Sequence, residues 1–109
     1  MYAEKEIRRL TDCLVEKFNP HKVILFGSQA KGTATEKSDI DLCVVADFEG
    51  KYEDKRKLRG AMNKYLALDC DADTGFDLVL YAPDEWEGRK DNKGDFAHII
   101  KKDGVVLHG

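Results

Sequence analysis

Apolar residues Ile7, Leu10, Leu14 and Phe18 recur at three- and four-residue steps among polar neighbours, which predicts an amphipathic helix stopping near Asn19 and Pro20. The run from Lys22 to Phe26 is almost wholly apolar and is halted by Gly27, the pattern of a buried strand beneath that helix. A turn of small and polar residues, 28–38, follows. The stretch from Asp39 to Val45 alternates acid with aliphatic and then becomes entirely apolar, so it reads as a second strand with an unusual beginning. Between Tyr52 and Leu68 the positions Leu58, Ala61, Met62, Tyr65 and Leu68 return to helical spacing, and the turn-rich residues 69–75 end the segment. Phe76 to Tyr81 reads as a third strand. Pro83, with acids just after it, opens a further helix; Phe96, Ile99 and Ile100 suggest another before Gly104, and Val105 to Leu107 a short last strand.

These elements predict an α/β (α+β) fold, a mixed sheet of about four strands flanked by helices, in a single domain over residues 1–109. The second and third strands are joined by a crossover of roughly thirty residues that contains a helix, so they should run parallel and start at the same edge.

Charge and cysteine content narrow the function classes. Against 18 basic residues stand 21 acidic ones, a net charge of -3, which leaves no electrostatic footprint for tracking a phosphate backbone, and stable nucleic-acid binding is not expected. The basic triplet Lys55-Arg56-Lys57 reads as a solvated helix face. Cys13, Cys43 and Cys70 are odd in number, widely spaced and without a C-x-x-C pair, so the expectation is reduced thiols rather than a disulfide framework or zinc site. No signal-peptide pattern or apolar run of transmembrane length is present, which makes a cytoplasmic location and no membrane association the expectation.

Asp39 and Asp41 break the local rule. Two apart on a strand, they leave the same face with about 6–7 Å between their α-carbons, where like charges repel unless a cation holds them. Gly27-Ser28, at the end of the first strand, permits close backbone approach, and the amides that follow can form a nest for phosphate oxygens. This is not a Walker loop, because no G-K-[ST] follows. Asp77, near the start of the third strand, should come to lie beside Asp39 and Asp41. The spaced acids Asp69, Asp71 and Asp73 mimic a calcium loop, but the glycine is one position late and Leu80 stands in place of the bidentate glutamate. His21, His98 and His108 have no ligand spacing and receive no role. Trp86 and the tyrosines read as packing residues, although an aromatic exposed beside the cleft has the shape to stack on a base.

Read continuously, residues 27–42 run Gly-Ser-Gln-Ala-Lys-Gly-Thr-Ala-Thr-Glu-Lys-Ser-Asp-Ile-Asp-Leu, which resembles the polymerase-beta nucleotidyltransferase signature. Within that superfamily the chain looks most like the minimal nucleotidyltransferases (MNT proteins), over nearly its whole length. The resemblance implies a polymerase-beta-like palm. It also implies that Gly27 and Ser28 hold a nucleotide triphosphate, while Asp39, Asp41 and Asp77 bind two magnesium ions (or manganese) and carry the catalysis, with ATP as donor. Family members often have arginines where Gln29 and Lys31 stand here. By the same resemblance the partner is a HEPN-type toxin, and the activity an antitoxin's transfer of AMP to a tyrosine hydroxyl of that partner. The other readings are an antitoxin that acts by complex formation alone and an aminoglycoside-type small-molecule nucleotidyltransferase, which usually carries a further domain.

Overall fold

The computed structural model describes residues 3–49 and 51–109. Helix α1 (Glu4–Phe18) buries Ile7, Leu10 and Leu14 and ends where Asn19 enters the left-handed conformation and donates its backbone N–H to the Val15 carbonyl. Strand β1 (Lys22–Phe26) leads into a short helix, α2 (Gly27–Lys31), so the expected turn after Gly27 is one helical turn closed by Gly32 at φ 77°. The remaining elements are β2 (Ile40–Val45), α3 (Tyr52–Lys64), β3 (Phe76–Tyr81), α4 (Pro83–Arg89), α5 (Phe96–Asp103) and β4 (Val105–His108).

Among the described residues the sheet has four strands in the order β3-β2-β1-β4. β2 and β3 are parallel, as the helical crossover requires, whereas β1 is antiparallel to both of its neighbours, β2 and β4. The start of β2, the start of β3 and the end of β1 therefore meet at one edge of the sheet. Period-two alternation divides the strand residues between two cores. On one face Val23, Leu25, Ile40, Leu42, Val44, Leu78 and Leu80 pack with Ile7, Leu10 and Leu14 of α1 and Met62 of α3. On the other, Ile24, Cys43, Val45 and Tyr81 pack with Trp86 of α4 and Ala97 and Ile100 of α5.

Three local expectations are corrected. The helix begun at Tyr52 does not keep an α-helical period to Leu68: residues Tyr65–Asp69 form a π-helical turn in which the Cys70 N–H reaches the Tyr65 carbonyl at 3.1 Å. The wider turn rotates the buried face by about one residue, so Leu66 is buried and Leu68 is exposed. Lys55 is not plain surface either. Its ammonium pairs with Glu85 at 2.9 Å and lies 5.3 Å from the centre of the Tyr81 ring, tying α3 to α4. Finally, Cys13 and Cys70, 57 residues apart in sequence, are joined in a disulfide, because α1 packs against the end of the π-helical turn. Cys43 is a free thiol in the core, and burial pushes its pKa up to about 12.

Trp86 and Tyr81 pack as expected, whereas Tyr52, at the start of α3, is exposed; the histidines make structural contacts, His21 with Asp47, His98 with the Lys90 carbonyl and His108 with the Pro20 carbonyl. No helix among the described residues is long and apolar enough to cross a membrane.

Candidate active site

The edge where β1 ends and β2 and β3 begin carries the acids. Asp41 and Asp77 are direct register partners on adjacent parallel strands, and Phe26 is the partner of Asp41 on the other side. By alternation Asp41 shares its face with Cys43 and Val45, and Asp77 shares it with Val79 and Tyr81. Both carboxylates thus continue the face covered by α4 and α5. Asp39, one residue before β2, follows the same alternation and is exposed, as is Asp77; Asp41 is half-buried.

Two glycines shape this edge. A side chain on Gly27 would collide with the Asp41 carboxylate, and Gly27 also has a positive φ of 72°, which side-chain-bearing residues rarely adopt. A side chain on Gly75 would collide with the carboxylate of Asp39. The Gly75 carbonyl also accepts the Ile40 N–H at 2.9 Å, binding the start of β2 to the loop before β3. Gly75 was legible in the sequence only as a turn residue. Its position two before Asp77 was the available signal.

Electrostatics at the edge are unfavourable without a partner. Desolvation raises the pKa of Asp41 above the ordinary carboxylate value, and the charges of Asp77 and then Asp39 raise it further. Among the described residues no three acid, histidine or cysteine side chains close into a ready-made metal cage. The donor set, all carboxylate oxygen, is nonetheless the chemistry that suits magnesium or manganese, and a cation would relieve the charge that Asp41 carries at a cost.

The loop preceding Asp77 is fastened to α1. Arg9 donates to the Asp71 carbonyl at 2.7 Å, Glu6 accepts the Asp73 N–H at 3.0 Å, and the Cys13–Cys70 disulfide closes the same contact. Beside the acids, Ser28 occupies the first turn of α2 and is partly accessible. Gln29 is 1% exposed and accepts the Ala3 N–H at 3.4 Å, so its side chain serves the scaffold. Lys31 is exposed at the far end of α2.

Comparison with known proteins places this arrangement. Residues 7–106 match the family described as the nucleotidyltransferase domain. Over 54 residues the chain is 43% identical to a Methanocaldococcus jannaschii protein named Putative protein adenylyltransferase MJ0604, a match covering 48% of this chain and 54% of that protein. The matched segment is thus about half the length of that relative. The fold is that of a crystal structure described as a putative nucleotidyltransferase from Sulfolobus solfataricus, with a TM-score of 0.59 at 19% identity, over 94% of this chain and 77% of that one. A toxin-antitoxin structure with AMP-PNP is 29% identical over 72% of this chain and 56% of that one, but its TM-score of 0.41 is too low to support an argument. On the family match, which runs from α1 into β4 and includes the acids and the glycine-serine turn, the chain belongs to the nucleotidyltransferase domain family.

Proposed function

We propose that this chain transfers AMP from ATP to a hydroxyl of a partner protein, a tyrosine of a HEPN-type toxin, and so acts as an antitoxin. The observation that carries the reading is the meeting of Asp41 and Asp77 as register partners at the strand edge that also holds Asp39 and the Gly27-Ser28 turn. Asp39, Asp41 and Asp77 would hold two magnesium ions, which supply charge neutralisation at the attacking and leaving oxygens. The Gly27 and Ser28 amides and the Ser28 hydroxyl orient the triphosphate so that pyrophosphate departs in line. Asp77, on the strand farthest from that turn, faces the incoming hydroxyl and draws its proton as the oxygen attacks the α-phosphorus. The family match supports the reaction class, and the named relative, said to be a protein adenylyltransferase, supports a protein acceptor.

The test is intact-mass measurement of the product of the neighbouring gene after incubation with this chain, magnesium and ATP. An AMP-sized gain, absent with the double variant Asp39→Ala/Asp41→Ala, is expected. A stable, neutralising complex with no mass gain would replace transfer by binding alone.

A further inference from the structure

One aromatic side chain at the site has no task in the reading above. Phe96, the first residue of α5, is 49% exposed, and its ring stands edge-on to that of Phe26, with centroids 5.6 Å apart at 85°. Phe26 is the residue immediately before Gly27 and the register partner of Asp41, on the sheet face that carries the acids. The ring of Phe96 therefore borders the cleft on its β1 side. It is also held in place: Asp95 caps α5 by accepting the Ala97 N–H at 3.0 Å, and Ala97 and Ile100 anchor the helix in the core.

We propose that Phe96 is the platform on which the nucleobase of the donor nucleotide stacks, an assignment that rests on the nucleotidyltransferase reading of the site. A half-exposed apolar ring at the β1 side of the acidic edge offers nothing to a triphosphate or a cation. The base is the part of the donor with flat apolar faces. The acceptor's aromatic ring is the less suitable occupant, because in the proposed reaction the acceptor hydroxyl meets Asp77, which stands on β3, two strands from Phe26. Phe26 braces the platform from behind, so little side-chain freedom remains to be lost on stacking. Stacking of this kind gives affinity with little discrimination, since every base has a π-face.

The experiment titrates ATP and inorganic tripolyphosphate, each with magnesium, into the wild type, Phe96→Ala, Phe96→Leu and Phe96→Trp, followed by calorimetry. Leucine retains apolar packing on Phe26 without a ring. Alanine and leucine are expected to weaken ATP binding by about tenfold and leave tripolyphosphate binding unchanged, while tryptophan retains ATP. Wild-type affinity for ATP in Phe96→Leu would reduce the ring to packing and overturn the proposal. So would an equal loss of ATP and tripolyphosphate, which would mean that the ring only supports the phosphate turn, or a loss confined to transfer onto a protein acceptor. If the wild type bound neither probe, the reading of the site itself would fall, a result distinct from any of these.

Discussion

The Asp41 carboxylate stands where a side chain on Gly27 would have to stand. Gly27 directly follows β1 and Asp41 lies on the adjacent strand, so the phosphate-turn candidate and the central acid are fitted to each other by the lack of a single β-carbon. Gly75 has the same relation to Asp39, with one difference: its φ is not positive.

That difference predicts two different phenotypes. Gly27→Ala imposes left-handed strain on a side-chain-bearing residue, costing about 1–2 kcal/mol, and also pushes Asp41 aside. Gly75→Ala meets only the end of an exposed aspartate that can rotate away. Urea unfolding should show a clear loss for Gly27→Ala and a change within about 0.5 kcal/mol for Gly75→Ala, while magnesium-dependent ATP binding weakens in both. Equal destabilisation would show that the crowding at Gly75 cannot be relieved.

Asp41 should trade stability for function. Its carboxyl titrates above the ordinary range, so the folded chain takes up a proton there more readily than the unfolded chain. The ionised group therefore costs stability in full above the raised folded pKa, and the cost fades as the pH falls from that value to the unfolded one. Asp41→Asn removes it at neutral pH. Thermal unfolding in chelator should show Asp41→Asn melting higher than the wild type near pH 7, with the difference shrinking toward acid. Added magnesium should stabilise the wild type and not the variant. A lower melting temperature for the variant in chelator would contradict this.

Ser28→Ala and Asp41→Asn should differ in severity. The hydroxyl is one donor among backbone amides, and its removal is expected to slow turnover by about tenfold; the carboxylate holds charge at the reacting centre, and its loss should cost on the order of a thousandfold. Turnover of both variants with one acceptor decides it. A greater loss from the serine change, in folded protein, would mean that the phosphate turn is misassigned.

The disulfide should contribute to global stability. Closing a chain segment with its ends 57 residues apart restricts the unfolded state by about 4 kcal/mol in the chain-entropy account, with about 2–4 kcal/mol typical of measured cases. Reduction should lower the urea midpoint, and the double variant Cys13→Ser/Cys70→Ser should not respond to reductant. An unchanged midpoint on reduction would show that Arg9, Glu6 and the buried packing of α1 hold the contact without the disulfide.

Much of this arrangement was legible in the sequence because its signals are local. Period-two alternation fixed the face on which Asp39 and Asp41 stand, and the length of the crossover after β2 required β3 to be parallel and so brought Asp77 alongside. What escaped was set by contacts between distant segments. The π-helical turn at Tyr65 transferred burial from Leu68 to Leu66, the pairing of Cys13 with Cys70 followed from helix packing that no cysteine spacing encodes, and Lys55 found Glu85 across two elements. Gly75 and Phe96 were missed for the same reason, since their neighbours Asp39 and Phe26 are far away in the chain.

In the proposed reaction this edge of the sheet directs attack at the α-phosphorus of a nucleotide. Incubation of the chain and its neighbouring-gene partner with magnesium and ATP labelled at either the α- or the γ-phosphate distinguishes this most directly. The α-label is expected to enter the partner and the γ-label to leave as pyrophosphate, and both results should vanish when Asp39 and Asp41 are replaced together by alanine. Incorporation of the γ-label, or of the α-label undiminished by that replacement, would contradict it.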